Sequence, residues 1–195
     1  MLKIGITGGI GSGKTTVCRL FELLGAHIFN ADLEAKKMLD NDPEVKDAVL
    51  NKFGSAIIDN TGIIDKKKLG TLVFNDKEKL EELNSIVHPA VAKHFEDWCL
   101  QQKSSNYILQ EAAILFESGA FKQVEKVITV VAPLELKIKR AMQRDAVSRE
   151  QVEERIKNQM SEDEKIKRSQ FIIYNDEQQL LIPQVIAIHE QLMNS

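Results

Sequence analysis

A glycine-rich segment near the start of the chain has the residue types and spacing of a phosphate-binding loop. Residues 8–15 read GGIGSGKT and fit the pattern G-x-x-x-x-G-K-[ST]. Glycines remove the Cβ atoms that would keep the backbone away from a phosphate, and the N–H groups of the loop then point at the anion. A helix that begins here adds partial positive charge at its first turn. The sequence therefore predicts a nucleotide site, called the P-loop below.

The side chains of this loop are expected to bind different parts of the nucleotide and its metal ion. Lys14 is expected to reach the β- and γ-phosphates, the Thr15 hydroxyl to ligate Mg²⁺, and Thr16 to donate to the α-phosphate. The backbone amides are expected from Gly9, Gly11, Ser12 and Gly13. The alternative is a glycine-rich turn with an exposed lysine. The apolar strand pattern before the loop and the helical pattern after it favour the nucleotide site.

A carboxylate, Asp32, follows the second predicted strand, at the edge of a parallel sheet where ligands bind. It could accept the proton of an attacking hydroxyl or help to hold the hydration shell of Mg²⁺. It could equally be the N-cap of a helix that begins at Leu33. Both interpretations stay open at this point.

Two glutamates follow the third predicted strand. Glu111 ends the strand and Glu117 comes six residues later, so either could lie near a metal in place of the usual strand-ending aspartate. The alternative is a pair of acids in the first turn of a helix, where the helix dipole stabilises them. The second interpretation is favoured for Glu117, and neither is favoured for Glu111.

Arginines in the second half of the chain are candidates for neutralising phosphate charge. Arg140 and Arg144 lie four residues apart and share one face of a predicted helix, and Arg155 lies on the next helix. Guanidinium groups stabilise charge on a transferring phosphoryl group. The alternative is a solvated charged helix, but in a P-loop protein the Arg140 and Arg144 pair is predicted to be functional.

Two further patterns are predicted to be structural. His88-Pro89 is expected to end one helix and begin another, because the residue before a proline leaves the α region. The lysines at 66–68 follow a capping Asp65 and are expected to form a solvated face.

Composition limits the classes of protein. The chain has 195 residues, 43% of them apolar, and a net charge of −3, which predicts one folded domain and no nucleic-acid partner. Its apolar runs are far shorter than the roughly 20 residues of a membrane span, so no membrane partner is expected. We expect no signal peptide, and we expect Cys18 and Cys99 to be free thiols. A cytoplasmic enzyme, monomeric or a small homo-oligomer, is the simplest prediction.

Five short apolar segments separated by helical patterns predict a parallel α/β sheet with helices on both faces. The predicted strands are Leu2–Thr7, His27–Asn30, Tyr107–Glu111, Lys126–Val131 and Phe171–Tyr174. Helix ends are marked by Gly25 as a C-cap, Asp42 before Pro43, and capping boxes at Ser148 and Ser161.

Two stretches are too long for simple connections in such a sheet. Residues 33–84 are predicted to be an inserted helical lobe, and residues 140–167 a charged, solvated and mobile insertion that closes as a lid. The core would then consist of residues 1–32, 85–139 and 168–195. This plan suits a kinase, because phosphoryl transfer requires the exclusion of water.

Taken in order along the chain, these residues resemble the dephospho-CoA kinases, which add the last phosphate in coenzyme A synthesis. The matching positions are residues 4–15, Asn30-Ala31-Asp32 where the family has Asp-Ala-Asp, His88-Pro89, residues 114–117, the lid residues Arg140, Arg144, Arg155 and Gln159, and Asn175. The resemblance spans nearly the whole chain. Asn30 replaces the first aspartate of the family, so any metal role of that acid would pass to Asp32 or Glu111; Ala113 replaces a proline.

The resemblance implies transfer of the ATP γ-phosphoryl group to the ribose 3′-hydroxyl of dephospho-CoA, with ATP as co-substrate and Mg²⁺ as cofactor. It implies Asp32 as the base that deprotonates or orients the hydroxyl, and Arg140 and Arg144 as clamps from the lid. Thr15 would hold Mg²⁺, with Asp32 as a second metal candidate, and the lobe at 33–84 would help to hold the acceptor. The rival predictions are another small-molecule kinase of this fold and a P-loop switch protein.

Overall fold

The computed structural model describes residues 1–74, 76–102 and 105–194. Within them the five predicted strands are confirmed: β1 (Leu2–Thr7), β2 (His27–Asn30), β3 (Tyr107–Glu111), β4 (Lys126–Val131) and β5 (Phe171–Tyr174). They form one parallel sheet in the order β2-β3-β1-β4-β5. The chain leaves β1 toward β2 on one side and later adds β4 on the other. The carboxyl end of β1 is therefore a topological switch point, where α/β folds bind ligands.

Helices connect the strands and extend the chain between them. Their bounds are α1 (Lys14–Leu23), α2 (Ala31–Asn41), α3 (Pro43–Phe53), α4 (Lys66–Phe74), α5 (Lys77–Gln101), α6 (Leu134–Asp145), α7 (Arg149–Lys157), α8 (Glu162–Lys167) and α9 (Leu181–Met193). Single 3₁₀ turns lie at Gly54–Ile57 and Ala120–Gln123. The predicted α/β fold class is confirmed.

The sheet is stable because it buries branched apolar side chains against helices. On one face, Ile4 and Ile6 of β1 pack into a cluster with Phe21 of α1 and Val185 and Ile188 of α9. On the other face, a Cβ at Gly5 would come within 2.6 Å of the Leu115 side chain, so only glycine lets the segment after β3 pack this closely.

The chain divides into two compact units. Unit 1 comprises residues 1–30 and 99–195 and contains the sheet; unit 2 comprises residues 31–98 and is helical. Unit 2 has its own apolar interior, in which Val87, Val91 and Phe95 lie four residues apart along α5 and are all buried. Unit 2 includes every described residue of the predicted inserted lobe, 33–84, and extends beyond it along α5 to residue 98.

The predicted helix junction at His88-Pro89 is wrong. Helix α5 runs without a break from Lys77 to Gln101 with Pro89 inside it. A proline inside a helix costs about 3 kcal/mol, because it removes one hydrogen bond and crowds the preceding turn. The buried stripe of Val87, Val91 and Phe95 offsets that cost, and the local rule for the residue before a proline is overridden.

The predicted helix ends are mostly confirmed. Gly25 follows the end of α1 with a φ of 89°, and the Asp42 side chain accepts from the amide of Val45 ahead of Pro43. Ser148 and Gln151 form both halves of a capping box, and Ser161 accepts from the amide of Glu164. In the described part of the chain, no helix has both the length and the apolar character needed to cross a membrane.

Candidate active site

The P-loop connects the carboxyl end of β1 to the first turn of α1. Among the positions where it needs glycine are Gly11 and Gly13, which have φ values of 75° and 92° and lie against other parts of unit 1. A Cβ on Gly11 would overlap the carbonyl of Lys137, and a Cβ on Gly13 would overlap the side-chain amide of Asn175. The loop is thus packed between the start of α6 and the end of β5, which fixes the direction of its amides.

Polar groups of the loop face each other across this turn. The Lys14 ammonium donates to the carbonyls of Gly8 (2.9 Å) and Gly9 (3.2 Å). The Ser12 hydroxyl is fully buried, and within the described residues it has no hydrogen-bond partner. Buried polar atoms are normally paired, so an unsatisfied hydroxyl inside a phosphate-binding loop fits a bound oxyanion.

A carboxylate lies beside the predicted metal ligand. The Thr15 hydroxyl donates to Glu111 Oε1 at 3.0 Å, and the Asn30 side-chain amide donates to Glu111 Oε2 at 2.8 Å. Glu111 is only 5% exposed and is the register partner of Asn30 on the neighbouring strand. Burial and the nearby Glu111 carboxylate raise the pKa of the Cys18 thiol above its usual value. Glu111 therefore ends a strand within the site and does not belong to a helix.

The oxygen atoms at this point fit a magnesium ion. Mg²⁺ prefers oxygen ligands and is usually held by one or two carboxylates together with substrate phosphates and water. Thr15 and Glu111 supply a hydroxyl and a carboxylate within hydrogen-bond distance of each other. In residues 1–74, 76–102 and 105–194 there is no cluster of three or more potential metal-binding acids, histidines or cysteines.

Asp32 lies in the first turn of α2, which begins at Ala31 directly after β2. The N-cap interpretation is therefore wrong, because the helix starts before Asp32. Within unit 2 the Asp32 carboxylate interacts electrostatically with His88. Burial lowers the pKa of His88 below its usual value, and the charge of Asp32 opposes that shift.

The arginine pair predicted to bind phosphate splits into two environments. Arg140 donates to the Asn175 carbonyl (3.2 Å) and forms an ion pair with Glu177 (3.1 Å). Asn175 in turn donates to the Ser12 carbonyl at 2.8 Å, so Arg140 is linked to the P-loop through one residue. Arg144 forms an ion pair with Asp145 (2.7 Å) and its side chain is 62% exposed. The structure thus connects Arg140, but not Arg144, to the loop.

The predicted first-turn role of Glu117 is wrong. Glu117 lies in a turn after β3, where its Oε1 accepts from the Met160 amide at 2.6 Å and pairs with the Lys165 ammonium at 3.3 Å. Lys165 is 1% exposed, and it also donates to the Ala113 carbonyl. Burial lowers the pKa of Lys165, and the Glu117 carboxylate opposes that change.

Sequence reasoning did not identify Lys137 and Lys165 as buried. Lys165 lies in the segment 140–167, whose mixed charges predicted a solvated surface, whereas Lys137 lies just before that segment and was assigned no role. Lys137 is 7% exposed and pairs with Glu162 at 2.8 Å. The available signal was its spacing, because Lys137 lies four residues before the buried Ala141 and so shares the inner face of α6.

Comparison with known proteins identifies one family. A sequence profile of the family described as dephospho-CoA kinase matches residues 2–180. A dephospho-CoA kinase of Bacteroides fragilis is 40% identical over 187 residues, which cover 96% of this chain and 91% of that protein.

Solved structures agree with the sequence comparison. A dephospho-CoA kinase from Campylobacter jejuni is similar with a TM-score of 0.71 and 31% identity, over 98% of this chain and 97% of that one. A crystal structure of a Thermus thermophilus protein is similar with a TM-score of 0.86 and 32% identity, over the same shares of 98% and 97%.

Proposed function

The chain belongs to the dephospho-CoA kinase family, and from that premise we infer that it transfers the γ-phosphoryl group of ATP to the ribose 3′-hydroxyl of dephospho-CoA. The products are coenzyme A and ADP, so the reaction is the last step of coenzyme A synthesis. The observation that carries this function is the glycine loop at the end of β1, together with the hydroxyl–carboxylate pair of Thr15 and Glu111 beside it.

The P-loop residues would hold the triphosphate. The amides of residues 9–16 and the buried Ser12 hydroxyl supply donors, and Lys14 exchanges its loop carbonyls for phosphate oxygens. Thr15 and Glu111 would hold Mg²⁺, directly or through water, with Asp32 as a further candidate. The ion, when bound, supplies positive charge against the β- and γ-phosphates.

Asp32 is proposed as the general base. Its position at the start of α2, directly after β2, supports this role, because the chain leaves the sheet there at the edge where ligands bind. In the proposed step the acceptor 3′-oxygen attacks the γ-phosphorus and its proton passes to Asp32. The bond to the β–γ bridging oxygen then breaks and ADP leaves. A positioned base contributes about 10²–10⁴-fold to such a step.

The remaining assignments concern the segments around the core. Residues 33–84 would help to hold the acceptor, and residues 140–167 would act as the lid, with Arg140 and Arg144 stabilising charge on the transferring group. The link from Arg140 through Asn175 to Ser12 supports the role of Arg140. Arg144 would first have to leave Asp145.

We also propose that the enzyme works in the cytoplasm, as a monomer or a small homo-oligomer. Two points support the location: the proposed reaction consumes ATP, and Cys18 and Cys99 are buried and form no disulfide among the described residues, as is usual in a reducing compartment.

A panel of acceptors tests the function. Purified protein with MgATP is offered dephospho-CoA, a nucleoside, a nucleoside monophosphate or shikimate, and ADP release is measured. We expect turnover with dephospho-CoA well above the rate without acceptor. Turnover with a nucleoside monophosphate but not with dephospho-CoA would support the rival kinase assignment. Slow hydrolysis that ignores every acceptor would support a P-loop switch.

A further inference from the structure

Lys137 is a buried cation of unit 1 that none of the roles above uses. It lies in the first half of α6, its side chain is 9% exposed, and its ammonium is 2.8 Å from Glu162 Oε2 at the start of α8. Lysine is rarely buried without a partner, because removing its charge from water costs several kcal/mol. The free-energy cost of burying the Lys137 ammonium therefore calls for an explanation from its surroundings.

Lys137 lies directly against the P-loop. The Lys137 carbonyl occupies the space where a Cβ on Gly11 would be. A Cβ on Gly9 would be 3.6 Å from Lys137 Cδ and 3.7 Å from its Nζ. Both the backbone and the ammonium of this lysine therefore lie beside the loop that is proposed to hold the phosphates.

The segment that carries Glu162, the partner of Lys137, also contacts the P-loop. Gln159 Oε1 accepts from the amide of Ile10 at 3.0 Å, and this oxygen also lies near Gly9. Residues 159 and 162 thus engage one loop amide and one adjacent ammonium. These are the two kinds of donor that bind phosphate oxygens in P-loop proteins.

We propose that Lys137 is a second phosphate-binding lysine of this site, and that Glu162 and Gln159 hold its ammonium and the Ile10 amide until the nucleotide displaces them. The inference rests on the proposed function, in that the P-loop must bind ATP. The exchange never leaves the Lys137 ammonium without an anion, because it passes from one carboxylate to the more highly charged triphosphate. When Lys137 releases Glu162, the start of α8 loses its ion pair with α6. ATP binding is thereby coupled to movement of the proposed lid.

Burial explains why this lysine matters more than an exposed cation. Charges near the protein interior are screened less by water and salt than charges at the surface. The Arg144 side chain is 62% exposed, whereas that of Lys137 is 9% exposed. A phosphate beside Lys137 therefore gains more from it than from Arg144.

The test is calorimetry of nucleotide binding in the presence of Mg²⁺ with paired variants. Lys137→Met should raise the Kd for ATP by roughly 10- to 100-fold, the effect of one hydrogen bond to a charged group. Binding of AMP, which lacks the β- and γ-phosphates, should change much less. Lys139→Met, an exposed lysine of the same helix, is the matched control and should bind ATP like the wild type.

The opposite variant separates this role from a structural one. Glu162→Gln removes the competing anion at a side chain that is 30% exposed, so ATP should bind more tightly than to the wild type. A purely structural ion pair predicts the reverse, with Lys137→Met and Glu162→Gln both lowering stability and neither improving affinity. Lys137→Arg, which keeps the charge, should restore most of the binding lost in Lys137→Met.

The outcomes are distinct. If the wild type binds no ATP, the proposed function itself fails. If the wild type binds ATP but Lys137→Met binds it as tightly as Lys139→Met does, only the role of Lys137 is overturned. Weaker ATP binding by Glu162→Gln also overturns it, and that variant gives an answer even if Lys137→Met does not fold.

Discussion

The two units of this protein bury different kinds of side chain. Among the described residues, every buried polar or charged side chain belongs to unit 1: Thr7, Ser12, Gln110, Glu111, Thr129, Lys137 and Lys165. The described buried side chains of unit 2 are apolar: Val45, Val49, Ile57, Ile64, Leu69, Val73, Val87, Val91 and Phe95. Burying polar groups costs free energy unless they are paired. Unit 1 carries that cost partly at the P-loop, because Ser12 lies in the loop, Glu111 accepts from Thr15 and Lys137 lies against Gly11.

The two interiors correspond to different proposed tasks. Unit 1 has an interior shaped for charge, with Glu111 held by Thr15 and Asn30. Unit 2 has an apolar interior, and Asp32, the residue proposed as the base, is exposed at its surface. Changes inside unit 2 should therefore affect stability, while changes to the buried polar groups of unit 1 should affect phosphate and metal binding.

The largest effect is expected at Asp32, the one proposed catalytic group that unit 2 supplies. Asp32→Asn keeps the shape of the side chain but removes the base, so kcat should fall by about 10²–10⁴-fold. Binding of ATP should be nearly unchanged. The check is steady-state kinetics together with calorimetric titration of ATP. Near-normal turnover would remove Asp32 from the mechanism and would leave unit 2 without a catalytic group.

The apolar interior of unit 2 should carry stability alone. Leu69→Ala removes a side chain that is 3% exposed, and the free energy of unfolding should fall by about 2–5 kcal/mol. At a temperature where the variant is fully folded, its kcat should match the wild type. Lys67→Ala, two residues earlier and exposed, is the control and should stay within about 0.5 kcal/mol of the wild type. A lower kcat in the folded Leu69→Ala protein would break the division between the units.

The buried carboxylate of unit 1 should instead control metal dependence. Glu111→Gln is expected to raise the Mg²⁺ concentration needed for half-maximal ATP binding by about 10- to 100-fold, as for other groups that orient metal ligands. Because Asn30 is the register partner of Glu111, the added change Asn30→Asp returns a carboxylate to the same place. The double variant should recover part of the metal affinity.

Two results would contradict this assignment. One is an unchanged Mg²⁺ dependence in Glu111→Gln. The other is a double variant that binds the metal no better than Glu111→Gln alone. Titration of Mg²⁺ against ATP binding measures both without reference to turnover.

The smallest effect concerns His88, which lies near Asp32 in unit 2. Burial lowers the pKa of His88 below its usual value of 6.5, and the Asp32 carboxylate raises it. The pKa of His88 in Asp32→Asn should therefore be lower than in the wild type, as measured by NMR titration of the imidazole protons. Since the folded pKa lies below the unfolded one, the contribution of neutral His88 to stability is lost as the pH falls from 6.5 through the folded pKa. An unchanged pKa would place the Asp32 charge away from His88.

Local sequence patterns predicted the sheet and the P-loop well, because both depend on short-range physics. The β-branched runs of β1 and β4 and the glycines of the loop are specified by residues next to one another. The same is true of the Ser148 capping box. The P-loop positions were therefore predicted from spacing alone, although the role of each residue stays a prediction.

The predictions were wrong or incomplete where contacts between distant parts of the chain determine the local structure or the burial of a side chain. Pro89 marked a helix end by the local rule, but the apolar stripe of α5 keeps the helix intact. Asp32 was one candidate for the N-cap of a helix beginning at Leu33, but α2 begins at Ala31 and already contains Asp32. Lys165 was expected to be solvated and the burial of Lys137 was not predicted, because their partners, Glu117 and Glu162, are 48 and 25 residues away in the chain. The number of charges in a segment does not show which of its lysines tertiary packing will bury.

The most direct measurement of the central claim is ³¹P NMR of a reaction containing the protein, MgATP and dephospho-CoA. We expect one new phosphomonoester signal on the ribose 3′-oxygen, growing in step with ADP, and no inorganic phosphate. Appearance of ADP with inorganic phosphate and without the phosphomonoester would contradict it, because the loop would then deliver the γ-phosphoryl group to water.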